Sequence, residues 1–237
     1  MHIAILGLGP SCRQYLELTK RMGGRRAFCD ETWSINALGD VFDSDLVFHM
    51  DDVRVQAIRA TAKPDSNIAR MLAWLKTYQG PVITSRAHPD FPALVEFPLA
   101  DVVQEFPLAY FNSTAAYAIA YALHVGVTKL TLFGMDFTYP DVHDAEKGRA
   151  CVEFWLGIAA ARGVELAMPK TTSLMDAMYP QDKRFYGYDT VNLDIQRSTA
   201  GVTVAMTERE TLPTAEEIEA GYDHSRHPNA LVEAGEG

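Results

Sequence analysis

The sequence predicts an α/β protein: a doubly wound, mainly parallel sheet with helices on both faces, followed by a C-terminal extension. Three observations carry this expectation. Short apolar, β-rich runs ("HIAILGLG", "DLVFHMDD", "PVITS", "VTKLTLFGMDF") alternate with stretches of helical spacing. The first run is broken by Gly7 and Gly9 and leads directly into a helix-like segment, the strand–turn–helix entry common in such sheets. Of the 237 residues, 48% are hydrophobic, enough for one well-cored domain with a small appendage.

The elements follow in order. "HIAILGLG" reads as a central strand. Ser11 is expected to cap the next helix, whose body is "YLELTKRM" and whose stop is Gly23-Gly24. "TWSINA" and "DLVFHMDD" read as two further buried strands. "VQAIRA" and "NIARMLAWLKTY" have helical spacing, and Gly80-Pro81 precedes the strand "PVITS". Pro89, Pro92, Pro98 and Pro107 make residues 86–111 irregular: a lid, a substrate-facing insertion or a packed surface excursion. "STAAYAIAYALHVG" is a helix of small side chains suited to packing closely on a sheet. "VTKLTLFGMDF" is a strand with an acidic end, "EKGRACVEFWLGIAAARG" a long amphipathic helix, and "VELAMP" another strand. No internal repeat is present. At Tyr179 the texture turns aromatic and polar, then acidic without clear periodicity. Residues 1–178 are therefore assigned to the core domain. Residues 179–237 are assigned to an extension that serves as a lid or an oligomer contact, or is partly disordered at its end.

Composition excludes several classes. Twenty-one basic against 31 acidic residues give a net charge of −10, so long nucleic acid is not an expected partner. Arg25, Arg26, Arg54 and Arg59 leave a local basic groove open as an alternative. Cys12, Cys29 and Cys151 are few, odd in number and widely spaced. That pattern fits neither a zinc site nor a disulfide framework and points to a reducing, cytoplasmic setting. "MHIAILGLG" lacks the basic flank and long apolar core of a signal peptide, and no apolar run is long enough to span a membrane.

Ligands of an open parallel sheet sit outside the carboxyl ends of its strands. Five polar segments fall there: Gly7 to Ser11, Asn36, Asp51-Asp52, Thr84 to Arg86, and Gly134 to Tyr139. Asn112, Ser113 and Thr114 open a helix, whose amides and dipole suit an anion. Each has a plain structural alternative. Gly7-Leu8-Gly9 is neither a full GxGxxG nor followed by a Walker lysine, and it can simply turn a corner. Asn36 can bridge a turn, Asp52 can cap a helix, Ser113 and Thr114 can be caps, and Asp136 can fix its loop. His143, beside Asp141 and Asp144, is read as a loop histidine suited to general-base work, whereas His49 lies in an apolar strand and reads as core.

Taken together, these segments resemble the family 42 bacterial sialyltransferases and the related Rossmann-like family typified by the archaeal 6-hydroxymethylpterin diphosphokinase. The residues that carry the resemblance are "GLGPS", "SINA", "FHMDD", "STAAYAIAYALHVGVTKLTLFGMDF", the loop with His143, the "VEFW" helix and "MPKTTSL", over roughly residues 1 to 178. The chain departs from the family at Leu8, where the turn carries asparagine, and at Thr138, which separates Tyr139 from the preceding Phe. Tyr186 and Tyr188 are the candidates for a second catalytic tyrosine.

The sialyltransferase resemblance implies a nucleotide-sugar-dependent glycosyltransferase with no tightly bound cofactor. Gly7, Gly9, Pro10, Ser11 and Asn36 would line the nucleotide, along with Gly134 and Asp136. Asn112, Ser113 and Thr114 would hold donor phosphate or sugar groups. Tyr139 would hydrogen-bond the leaving phosphate. His143 would take the proton of an acceptor hydroxyl attacking the anomeric carbon. The diphosphokinase resemblance implies ATP with Mg²⁺, a small heterocyclic alcohol as substrate, and Asp51, Asp52 and Asp136 as metal ligands. A non-catalytic nucleotide-binding protein is the third alternative, since fold does not fix function. The acceptor is unspecified, and the Ala-rich helix and the extension are each candidates for contact with a second copy.

Overall fold

The structure, a computed structural model, describes residues 1–137 and 142–220. The chain divides at Met178/Tyr179 into two compact units. The first is built on a seven-stranded sheet in the order β5-β4-β3-β2-β1-β6-β7, every neighbouring pair parallel. Its strands are β1 (His2–Leu6), β2 (Glu31–Ile35), β3 (Leu46–His49), β4 (Val82–Thr84), β5 (Leu94–Glu96), β6 (Lys129–Phe133) and β7 (Glu165–Ala167). The helices are α1 (Cys12–Met22), α2 (Arg25–Phe28), α3 (Val53–Ala62), α4 (Asn67–Thr77), α5 (Leu99–Glu105), α6 (Thr114–His124) and α7 (Val142–Ala161). This is the doubly wound, Rossmann-like α/β architecture that the alternating pattern predicts.

β1 is central, and both of its faces are covered. Ile3 and Ile5 enter one cluster with Trp33, Phe48, α6 and α7, while Ala4 and Leu6 enter another with Tyr15, Cys29 and Phe133. A strand buried on two sides reads as a continuous apolar run rather than an alternation, as "HIAIL" does. Fully burying each such Ile or Leu stabilises the fold by about 1.5–3 kcal/mol. On α6, Ala115, Ala116, Ala118, Ala120 and Ala122 are all buried. Their small side chains bring the helix axis close to the sheet. Val47, Val82, Leu72 and Leu75 pack the opposite face under α3 and α4.

Three expectations are corrected. Residues 86–111 are not irregular throughout: they hold β5, an edge strand pairing Val82 with Leu94 and Thr84 with Glu96, and α5. The prolines bracket these elements instead of forbidding them, since edge strands and helix starts tolerate the missing N–H. Pro98 stands at the N-cap of α5 and Pro107 lies just beyond its end. Ser11 occupies the N-cap position of α1, but its side chain makes no capping bond. It faces another strand's loop, as described below. Last, the second unit has regular structure where no periodicity was expected. Strands β8 (Val191–Ser198) and β9 (Gly201–Glu208) form an antiparallel hairpin, and α8 (Ala215–Ala220) follows. Leu193 opposes Met206 and Ile195 opposes Val204, giving the hairpin one apolar face. Its Thr199-Ala200 turn carries no Asn-Gly or Asp-Gly signal, which is why the sequence pattern conceals it.

Among the described residues no helix is long and apolar enough to cross a membrane. Three of the four arginines of the basic groove considered above are ion-paired, and Arg59 donates to Gln56 Oε1 at 3.4 Å. Arg25 pairs with Asp43 at 3.1 Å and Asp45 at 2.5 Å, Arg26 also pairs with Asp45, and Arg54 pairs with Asp52.

Candidate functional site

Sheet order reverses between β1 and β6, so the loops leaving their carboxyl ends frame the switch-point crevice. Those loops are the Gly7–Ser11 turn and Gly134–Phe137, and they are locked together. The Gly7 amide donates to Phe133 O and the Gly9 amide to Gly134 O, each at 2.7 Å. The Ser11 amide donates to Asp136 Oδ2 at 2.8 Å, and the Gly134 amide donates to Ser11 Oγ at 2.7 Å. Three of the turn's amides are thus spent inside the protein.

The glycines answer to this close approach. A Cβ on Gly7 would lie 2.4 Å from Gly134 O, and one on Gly9 would lie 2.5 Å from Asp136 Oδ2. Gly134 also has φ +68°, a conformation that costs other residues strain. Leu8 and Pro10, between the buried anchors, are exposed.

Asp136 is 3% exposed. Its Oδ2 is satisfied by Ser11, but Oδ1 is buried and has no partner among the described residues. Leaving a buried acceptor unpaired costs about 1–3 kcal/mol, more when it is charged. The loop after β7 supports this residue from behind. Thr172 Oγ1 donates to Met135 O at 2.9 Å, and Ser173 Oγ donates to Asp136 O at 3.3 Å. Thr172 and Ser173 lie in "MPKTTSL", which the sequence offers as part of the family resemblance with no role for either hydroxyl.

The next loops along the edge bring Asn36, His49 and Thr84 together. Asn36, with φ +53°, ends β2, and its Oδ1 lies 3.1 Å from His49 Nδ1. His49 and Thr84 are register partners on β3 and β4. Both are buried, and His49 Nε2 and Thr84 Oγ1 have no partner among the described residues. Burial lowers the His49 pKa, only partly opposed by Asp51. His49 is core, as expected, but it is also hydrogen-bonded to Asn36, a candidate site residue.

Asp52 caps α3, its side chain accepting from the Arg54 amide at 2.9 Å, and it is ion-paired with the Arg54 guanidinium. These bonds hold its carboxyl well below the usual carboxylate range. This is the helix-cap reading of Asp52. Asp51 is exposed. No group of three His, Cys, Asp or Glu residues able to hold an ion occurs among the described residues.

α6 runs back toward β6, which is parallel to β1, so its N-terminus stands at the carboxyl edge of the sheet. Ser113 is its N-cap, accepting from the Ala116 amide at 3.4 Å, while the Asn112 amide is held by Cys151 Sγ at 3.1 Å. Asn112 is exposed, and Ser113 and Thr114 are half-buried.

Tyr139 and Asp141 lie outside the described residues. His143 belongs to the first turn of α7 rather than to a loop, and it is exposed. α7 approaches the β6 loop closely: a Cβ on Gly148 would lie 2.8 Å from the Phe137 ring. A recess of about 840 Å³ lies away from these groups, between α3 and α4, lined by Val53, Ala57, Leu72, Lys76 and Phe91. Its walls are mainly apolar.

No family model and no curated protein matches the chain. Solved structures similar to it are sialyltransferases. One is the sialyltransferase CstII from Campylobacter jejuni in complex with the substrate analogue CMP-3FNeuAc. It is 14% identical over 92% of this chain and 97% of that one, with a TM-score of 0.42. Another is CST-II in complex with a trisaccharide acceptor and CMP, 13% identical over 93% and 98%, with a TM-score of 0.41.

Proposed function

We propose that the chain is a nucleotide-dependent transferase, and within that class a glycosyltransferase of the sialyltransferase type that uses a nucleotide-sugar donor as substrate, without a tightly bound cofactor. The observation that carries this reading is the unpartnered, buried Oδ1 of Asp136 at the switch point. The Ser11 amide holds the other carboxylate oxygen, and Thr172 and Ser173 brace the backbone carbonyls of Met135 and Asp136, so the free Oδ1 calls for a hydroxyl or amino donor, such as the groups of a nucleoside.

With the Gly7, Gly9 and Ser11 amides already engaged, the negative charge of the donor phosphate falls to the first turn of α6, through Asn112, Ser113 and Thr114. Tyr139 supplies a further hydrogen bond to the same phosphate. In the transfer, an acceptor hydroxyl oxygen forms the new bond to the anomeric carbon, and the bond from that carbon to the phosphate oxygen breaks. The phosphate leaves with the electron pair, and the hydroxyl proton goes to His143. The metal-dependent diphosphokinase alternative has less to work with, because Arg54 holds the Asp52 carboxylate.

Thermal shift with CMP, UDP, GDP and ATP, each with and without Mg²⁺, tests the reading. A nucleotide that binds only the native state raises its melting temperature. The expected result is stabilisation by a nucleoside mono- or diphosphate without metal. Strict dependence on Mg²⁺ and ATP would transfer the assignment to phosphoryl chemistry, and no shift with any nucleotide would remove the enzymatic reading.

A further inference from the structure

The edge formed by Asn36, His49 and Thr84 has a hydrogen-bonding logic of its own. The 3.1 Å contact between Asn36 and His49 Nδ1 can be made in two ways. In one, His49 Nδ1–H donates to the Asn36 carbonyl oxygen, and Nε2 carries a lone pair. In the other, the Asn36 NH₂ donates to Nδ1, and Nε2 carries the proton. The surroundings of Nε2 decide between them. That atom is buried and has no partner among the described residues. A buried N–H without an acceptor is among the rarest features of proteins, while an under-used acceptor is better tolerated. Thr84, the register partner of His49, is neutral in this choice, since its hydroxyl can donate or accept and makes no bond to Nε2. The Nδ1–H tautomer is therefore the stable one, and the Asn36 carbonyl is its acceptor.

This fixes which edge of Asn36 remains. The side chain is half-buried at the carboxyl end of β2, and its NH₂ has no protein partner among the described residues. We propose that His49 is a positioning residue: by holding the Asn36 carbonyl it locks the carboxamide with its NH₂ toward the crevice, and so selects an acceptor oxygen on the bound nucleotide. This rests on the reading of Asn36 as a nucleotide contact. Without His49 the amide rotates freely and offers donor and acceptor edges alike. His49 touches no ligand and acts only through Asn36.

The test is a double-mutant cycle read by calorimetric affinity for CMP and for cytidine. Asn36→Ala and His49→Phe should each weaken CMP by about three- to tenfold, the scale of one hydrogen bond. The double variant should be no weaker than Asn36→Ala alone. His49→Gln, which retains a side-chain N–H, should recover part of the loss. A loss confined to CMP identifies a phosphate oxygen as the acceptor, and a loss shared by cytidine identifies one on the nucleoside. Unchanged affinity in His49→Phe beside a weakened Asn36→Ala, or additive losses, would overturn the proposal. Nitrogen-15 NMR of the His49 ring supplies a check that needs neither nucleotide nor mutation. Protonated Nδ1 is expected, and protonated Nε2 would sink the inference even if CMP binds. Failure of the wild-type chain to bind any nucleotide would instead count against the proposed function.

Discussion

Ser11 and Asp136 are joined by a hydrogen bond of 2.8 Å across 125 residues of chain, from the amide of one to the carboxylate of the other. It ties the carboxyl ends of β1 and β6 at the point where the sheet reverses its order. It also makes a turn that reads as a ligand loop into part of the frame. Two substitutions separate these roles. Asp136→Asn keeps an oxygen for the Ser11 amide but puts NH₂ in place of Oδ1. It should retain the fold while lowering nucleotide affinity at least tenfold by calorimetry, because a donor then faces a donor. Equal affinity in Asp136→Asn and the parent would remove Oδ1 from the site.

Gly9→Ala tests the frame itself. The added methyl would meet Asp136 Oδ2 at 2.5 Å and Gly134 O at 2.8 Å. Both belong to a hydrogen-bonded loop that cannot retreat without breaking the Ser11 bond. Urea unfolding should show a loss of about 1–3 kcal/mol. Gly157→Ala is the control, since nothing lies within 4 Å of its Cβ position, and it should be neutral or slightly stabilising in mid-helix.

Thr172→Val removes the hydroxyl that braces Met135 O and accepts from the Leu174 amide. Thr172 is 2% exposed, so both backbone groups lose a buried partner. The expected cost is about 1–3 kcal/mol in denaturant unfolding. A change below 0.5 kcal/mol would show that the β7 loop does not brace Asp136.

His143→Ala addresses the chemistry. Under the glycosyl-transfer reading, turnover should fall by about 10²–10⁴, while the CMP-induced thermal shift stays near that of the parent. Full activity in the variant would exclude His143 as the base.

Stability should fall on mild acidification because of His49. Its folded pKa is lowered below the ordinary 6.5, burial outweighing the opposing Asp51. Below about pH 6.5 the unfolded chain therefore binds a proton that the folded chain resists. The stability is fully present above that pH and declines as pH falls through the window beneath it. Urea midpoints measured from pH 7.5 to 5.5 should show a shallower decline for His49→Gln than for the parent. Parallel slopes would dissociate His49 from the effect.

The sheet itself was legible in the sequence. Continuous apolar runs such as "HIAIL" and "KLTLF", set between helical spacings, have few alternatives to buried parallel strands. The candidate loops were legible as well, because chain direction places every strand's exit on one edge. β5 and α5 were hidden by prolines that delimit short elements, and the β8–β9 hairpin by a turn without the usual glycine pair. Thr84 was legible as one of the polar strand ends, whereas His49 and Thr172 were invisible as candidate site residues because their significance lies in partners 13 and 37 positions away.

Local pattern determined which segments are strands and helices, since periodicity and turn chemistry act over a few residues. Tertiary structure alone decided what the "GLGPS" turn does with its amides. A backbone N–H bonds to whichever acceptor the fold brings within 3 Å, and here that acceptor is supplied by Phe133, Gly134 and Asp136. The same physics left Asp136 Oδ1 and the Asn36 NH₂ without protein partners among the described residues, which is where the search for a ligand should begin.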